Sequence, residues 1–182
     1  FRKFDYAMMG ENLKRDLSTL NHVVVVRDGA ADDPFETGEV LAGPALGVAD
    51  EPSMLMYTSG TTGKPKGVVH NVNSLDCEVS NVARWWSLDP ERDAALMASP
   101  VTHVTGFLFG ILLPFALGIR TVLMERWDAQ EAVGLIEREE ISFTMGATPF
   151  LRELLDRAEE QGSALSSLRV FACGGAPVPP EL

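Results

Sequence analysis

Positive charge is scarce in this chain. Fifteen Lys and Arg stand against 26 Asp and Glu, for a formal net charge of −11 over 182 residues. Nucleic acid and anionic lipid surfaces are bound through an electropositive face, so the deficit argues against both as partners. Cysteine is scarcer still: only Cys77 and Cys173 are present. They lie far apart, match no metal-ligand spacing and sit in apolar segments, which predicts buried, reduced thiols and a cytoplasmic setting. No apolar run is long enough for a bilayer. The greasiest stretch, Val104 to Ile119, is shorter than a bilayer span and is interrupted by Pro114, so it is expected to be a buried helix. No basic-then-apolar leader opens the chain, and it begins Phe1-Arg2-Lys3 without an initiator Met, from which removal of an upstream portion is expected. Internal repeats and low-complexity tracts are absent. So is any cluster of His, Cys and carboxylates at metal-ligand spacing, and no metal ligand is expected within the chain.

What remains is an ordinary globular composition, 46% apolar and 23% charged, long enough for one core. Segments of helical and extended character alternate. Ala7 to Leu20 carries apolar residues at helical spacing, and His22-Val-Val-Val-Val26 reads as a buried strand. Residues 28–52 are rich in Gly, Pro and acid and read as a linker with a short helix near Glu36–Leu41. Strands are expected at Ser53–Tyr57, Ala94–Ala98, Arg120–Met124, Ile141–Met145 and Leu168–Cys173. Helices are expected at about Asn73–Ser87, Thr105–Leu117, Asp128–Glu139 and Pro149–Gln161. Strand and helix in turn imply an α/β fold, a layered and mostly parallel sheet flanked by helices. Residues 1–52 are taken as an N-terminal helix, strand and linker, and 53–182 as the core α/β subdomain. Ligands of such sheets gather at the carboxyl ends of strands. The loops after Tyr57, Ala98 and Cys173 are therefore the places to look.

The first of these is Thr58-Ser59-Gly60-Thr61-Thr62-Gly63-Lys64-Pro65-Lys66-Gly67. Glycines at 60, 63 and 67 permit positive φ and close approach of a ligand, and successive turn amides form an anion-binding concavity. The hydroxyls of Thr58, Ser59, Thr61 and Thr62 add donors. Lys64 and Lys66 bring positive charge and accept no hydrogen bond. No acidic side chain occurs between Pro52 and Leu75, as a polyphosphate site requires. The spacing is not that of a Walker loop, and Pro65 follows Lys64 where Ser or Thr would stand. From Leu55 to His70 the string resembles the phosphate-binding signature of the adenylate-forming superfamily: acyl-CoA synthetases, luciferases and the adenylation domains of peptide synthetases.

Two further segments extend that resemblance in the same order. Ser99-Pro100-Val101-Thr102-His103-Val104-Thr105-Gly106 is similar to the family's proline-to-histidine-to-glycine segment. The resemblance implies that His103 lines the junction of acyl site and thiol tunnel, with Thr102 where relatives often carry an aromatic residue. By itself His103 reads equally as a helix cap. Phe171-Ala-Cys-Gly174-Gly175-Ala176-Pro177 resembles the turn that borders adenine and acyl group; alone it is an ordinary strand-to-helix turn with Pro177 at the first helical position. His22 and His70 receive no role, Trp85-Trp86 reads as core or helix-packing surface, and Glu137, Glu139 and Glu140 as a solvated helix face.

The resemblance implies a carboxylate–CoA ligase, with ATP, magnesium and coenzyme A as cofactor and co-substrates and a small-molecule carboxylic acid as substrate. Lys66 and His103 are its expected catalytic residues. Gly174, Gly175, Ala176 and Pro177 join residues 58–64, 66 and 67 in binding the nucleotide. The family's magnesium-holding Glu, ribose-gripping Asp and C-terminal-domain Lys do not occur here. The chain is thus expected to be part of a large N-terminal domain that does not turn over alone. A carrier-protein thiol as acceptor, a non-catalytic nucleotide-binding module, and a homodimer remain open.

Overall fold

The computed structural model describes residues 5–25, 47–58 and 63–180. The chain divides into two compact units, Phe1–Leu46 and Gly47–Leu182. In the first, helix α1 spans Tyr6–Asp16, and the Asp5 carboxylate caps it by accepting from the Met8 amide. The helix stops short of the expected Leu20. Residues 22–25 form no strand, and Val24 and Val25 stay exposed. A β-branched run is a strand only when another strand's edge pairs with it, and none among the described residues does. Val26, the linker and its expected short helix lie outside the described residues.

The second unit opens with a hairpin. Strand β1 (Pro52–Thr58) pairs antiparallel with β2 (Lys66–Asn71), Leu55 facing Val69 and Thr58 facing Lys66. This corrects the expectation that the loop after Tyr57 follows a strand of the parallel sheet. A parallel neighbour needs a crossover of about a dozen residues or more, and residues 59–65 are too few. The loop is a hairpin tip. Helix α2 (Val72–Trp85) follows at once, started by a capping box in which Asn71 and Ser74 satisfy each other's amides.

The expected parallel sheet begins at β3 (Ala94–Met97). With β4 (Arg120–Leu123), β5 (Phe143–Gly146) and β6 (Val170–Cys173) it forms a four-stranded sheet in the order β4-β3-β5-β6, every pair parallel. All four residues of β3 are buried, and their alternation divides the core. Ala94 and Leu96 point into one cluster with Ala132, Val133 and Ile136 of helix α4 (Ala129–Arg138) and Leu154 and Ala158 of helix α5 (Thr148–Gln161). Ala95 and Met97 point the other way, to Val79 of α2 and Leu108, Phe109 and Leu113 of helix α3 (residues 104–117). Three layers result.

Helix α3 joins three pieces, Val104–Phe107, Leu108–Leu112 and Leu113–Leu117, the middle one a π turn in which the Leu113 amide bonds the Leu108 carbonyl. Pro114 offers no N–H to the preceding turn, and the wider turn absorbs that loss. The middle of the helix is buried as expected, but Val104, Ala116 and Phe115 are exposed, Phe115 to 77%. Trp85 is 85% exposed, so only Trp86 of the pair packs, against Phe109 and Phe143. Cys77 is exposed and Cys173 half-buried, both free; Cys77 lies on the outer face of α2 and not in the core. Glu139 is not simply solvated, since it pairs with Arg120 and Arg138.

One buried charge ties the sheet together. Asp93, 3% exposed, stands just before β3. Its carboxylate accepts from Ser142 Oγ (2.6 Å), Arg169 Nη2 (3.0 Å), Arg92 Nη2 (3.0 Å) and the Asp89 amide (2.8 Å). Ser142 precedes β5 and Arg169 precedes β6, so one carboxylate clasps the amino ends of three adjacent strands. Burial pushes the Asp93 carboxyl up, but the bonds from Ser142, Arg92, Asp89 and Arg169 outweigh it and hold the group well below the usual carboxylate range. A carboxyl depressed in the fold stabilises fully above its unfolded value of about 4 and loses that contribution as pH falls toward the folded value. Asp93→Ala should therefore cost about 3 kcal/mol in denaturant unfolding at neutral pH. Below about pH 4 its stability should fall less with pH than that of the unaltered chain; equal acid slopes would overturn this.

Candidate active site at the carboxyl ends of the strands

The site grows from the ends of β3, β5 and β6 opposite to Asp93. After β3 the chain turns through Ser99–Thr102, closed by the His103 amide bonding the Pro100 carbonyl (2.9 Å), and enters α3. His103 is the N-cap: its Nδ1 accepts from the Thr105 amide at 3.2 Å. The capping role read from its position is thus real, and it consumes one ring edge only. Gly106 is demanded by close approach, since a Cβ there would run into the carbonyl oxygens of Ser99 and Pro100.

After β6 comes Gly174-Gly175-Ala176-Pro177. Gly175 sits at φ 79°, a left-handed conformation that side chains resist. Thr148, the buried first residue of α5, donates its hydroxyl to the Pro177 carbonyl at 3.0 Å and so holds this turn against the end of β5. Phe150 lies against Gly146 and stacks on Trp127 with centroids 4.8 Å apart. Neither Thr148 nor Phe150 was singled out from sequence; the signal was a Thr-Pro-Phe one residue after the end of β5, which marks a helix start and says nothing of a cleft.

These segments enclose a cleft of about 700 Å3 lined by Ser99–Pro100, Thr102–Thr105, Met145–Ala147, Phe150, Gly174 and Gly175. A second cleft of about 470 Å3 lies between the hairpin (Met56, Tyr57, Thr58, Val68, His70) and the start of α3 (Thr102, His103, Val104). Thr102, His103 and Val104 belong to both. The turn at 174–175 and His103 are therefore brought to one cleft, while Thr58 meets His103 across the other. Ala176 and Pro177 line neither cleft but anchor the turn through their carbonyls.

At the hairpin tip, Gly63 turns with φ 83°, and Lys64 and Lys66 are exposed. Among the described residues neither lysine enters an ion pair, although the chain is strongly acidic. Gly67 does not take positive φ as expected; it is part of β2 opposite Tyr57. Gly174 likewise keeps an ordinary φ. Ser59, Gly60, Thr61 and Thr62 lie outside the described residues.

A parallel three-layer sheet with a glycine, threonine and lysine loop on a hairpin beside it matches one family model, AMP-binding enzyme, over residues 6–182. The chain belongs to that family. It is 39% identical over 138 residues to the medium-chain fatty-acid–CoA ligase of Escherichia coli (strain K12), covering 73% of this chain and 23% of the relative. Among solved structures it resembles the inhibitor-bound N-terminal domain of FACL13 from Mycobacterium tuberculosis at a TM-score of 0.73 and 29% identity, covering 83% of this chain and 38% of that one. It also resembles o-succinylbenzoate coenzyme A synthetase (MenE) from Bacillus subtilis in complex with ATP and magnesium ion, at a TM-score of 0.66 and 31% identity, covering 72% and 27%. The chain thus spans about a quarter of the length of its ligase relative. No described helix is long and apolar enough to cross a membrane.

Because Gly106 allows α3 to start under the Ser99–Pro100 carbonyls, Gly106→Ala should cost about 1–3 kcal/mol and shift the His103 ring resonances. Unchanged stability and resonances would show that the turn yields freely. Thr148→Val keeps the shape and removes one bond, so it should cost about 1 kcal/mol and speed hydrogen exchange at the Gly174 amide, which bonds the Gly146 carbonyl.

Proposed function

We propose that this chain is the phosphate-binding and part of the acyl-binding portion of an ATP-dependent carboxylate–CoA ligase. The observation that carries the reading is the hairpin-tip loop, residues 58–67, whose two described lysines are free of carboxylate partners in a chain of net charge −11. An unpaired cation pair among hydroxyl donors and turn amides fits a polyphosphate.

In the first step the substrate carboxylate attacks the α-phosphorus of ATP, giving an acyl-adenylate and pyrophosphate. Lys66, with Lys64 and the hydroxyls of Thr58, Ser59, Thr61 and Thr62, neutralises charge on the departing pyrophosphate; this is positioning and electrostatic work. In the second step the sulfur of coenzyme A attacks the acyl carbon and AMP leaves. His103 lines both clefts while its Nδ1 stays bound to the Thr105 amide. The 174–177 turn supports the adenine and the acyl group. Magnesium supplies further charge neutralisation when bound; among the described residues no group of three or more His, Cys, Asp or Glu could hold it, and no ligand is assigned to it here. The fatty-acid–CoA ligase among the relatives favours coenzyme A over a carrier-protein thiol, and a fatty or similar apolar acid as substrate. The free cysteines fit a reducing, cytoplasmic setting.

Lys66 is exposed at the start of β2, so its replacement leaves the fold intact. Lys66→Ala should weaken triphosphate binding by about 1.5–3 kcal/mol, measured by titration calorimetry; unchanged affinity would remove Lys66 from the site. The reaction itself is tested by acid-dependent exchange of labelled pyrophosphate into ATP in the full-length protein. Failure of exchange across a broad acid panel, with ATP still bound, would leave a non-catalytic nucleotide-binding module.

A further inference from the structure

Trp127 lines neither cleft, yet it holds a side chain that does. It directly precedes the Asp128 cap of α4 and presents two surfaces to α5. Its ring stacks on Phe150, with centroids 4.8 Å apart and planes at 22°. Its indole N–H donates to Glu153 Oε2 at 2.6 Å. Phe150 and Glu153 stand three positions apart and so neighbour each other on the helix surface, which lets one indole engage both. Phe150 also abuts the end of β5, where a Cβ on Gly146 would stand 2.8 Å from its Cδ2. Held by the indole and by the strand end, it is the largest of the side chains that line the cleft of about 700 Å3. Glu153 belongs instead to a polar hollow of about 430 Å3 with Asp128, Gln130, Asp156 and Arg157, which shares no lining residue with the cleft.

We propose that Trp127 is a positioning residue: steered by Glu153, it fixes Phe150 as the wall that limits the length of apolar chain the larger cleft admits. Phe150 lies on the cleft side, Glu153 on the hollow side, and Trp127 contacts both. Stacking alone lets two rings slide over one another. A bond from the indole N–H to a carboxylate is directional and stronger than a neutral one, so it fixes how the indole lies and with it the ring stacked on it. The inference deepens the reading of this cleft as acyl-binding and rests on it, narrowing the substrate to carboxylic acids of limited chain length. The far end of such a chain is remote from the reacting carboxylate. Its contact with Phe150 is therefore equal before and during reaction, and acts on KM rather than on kcat.

The test is exchange of labelled pyrophosphate into ATP by the full-length protein across straight-chain acids of increasing length. Trp127→Ala should lower KM about tenfold for acids longer than the preferred one and leave kcat for the preferred acid unchanged. Phe150→Ala should move the ranking the same way, and the double variant no further, as expected of two residues that act as one. Glu153 is exposed, so its replacement leaves the fold intact even where loss of Trp127 does not. Glu153→Ala should shift the ranking in the same direction by less, whereas Glu153→Gln, whose amide oxygen still accepts from the indole, should keep the unaltered ranking. A merely structural Trp127 would lower stability and leave the order of acids as it was. An unmoved ranking in any folded alanine variant, or Glu153→Gln behaving as Glu153→Ala, would overturn the inference and leave the ligase reading in place. Absence of exchange by the unaltered protein would overturn both.

Discussion

A carboxylate buried at 3% exposure would be ruinous without partners, because removal from water costs an ion several kcal/mol. Asp93 is tolerated because the amino ends of β3, β5 and β6 converge on it. That requirement works in both directions. The three strands must stand side by side in register for Ser142 and Arg169 to reach the carboxylate, and Arg169 carries the tie onward by donating to the Trp86 carbonyl at 2.6 Å. The helix that packs Trp86 against Phe109 and Phe143 is thereby joined to the same point. Uniform parallel pairing then sends all three carboxyl ends to the opposite edge, where the larger cleft forms. Charge is spent at one end of the sheet, leaving the other to be shaped by glycines and apolar side chains.

The two clefts have different foundations. The larger one is walled by strand ends and helix starts that the core holds still. The other has a rigid side at Thr102–Val104 and a hairpin on its opposite side that shares no strand pairing with the four-stranded sheet. His103 belongs to the rigid side, its ring fixed by a backbone amide, and it faces both. Local capping chemistry, common at any helix start, here also determines which ring nitrogen is available.

Much of the parallel sheet was legible because its strands are short apolar runs bounded by turn residues, and Asp128 caps α4 as its position predicts, accepting from the Glu131 amide. The loop at 58–67, His103 and the 174–177 turn were picked out by motif resemblance, and the structure brings His103, Gly174 and Gly175 to one cleft. The hairpin was misread, although the few residues between Thr58 and Lys66 already forbid a parallel crossover. The run His22–Val25 looked like a strand because propensity is local while pairing is not. Asp93 carried no signal at all: its partners Ser142 and Arg169 lie 49 and 76 positions away, and a lone aspartate in sequence reads as surface. Cys77 and Trp85 failed in the opposite sense, being apolar in type and exposed in place, since helical periodicity leaves part of α2 outward whatever it carries.

The separate hairpin has a consequence for how such a chain diversifies. Its backbone bonds close on themselves, and the Asp93 clasp lies beyond its reach. Replacements along residues 53–58 and 66–69 thus trade affinity against affinity, with little toll on melting temperature, whereas replacements at the strand ends trade affinity against folding. Laboratory evolution of ligand preference would find its neutral paths through the hairpin and its dead ends beneath the glycines of the sheet.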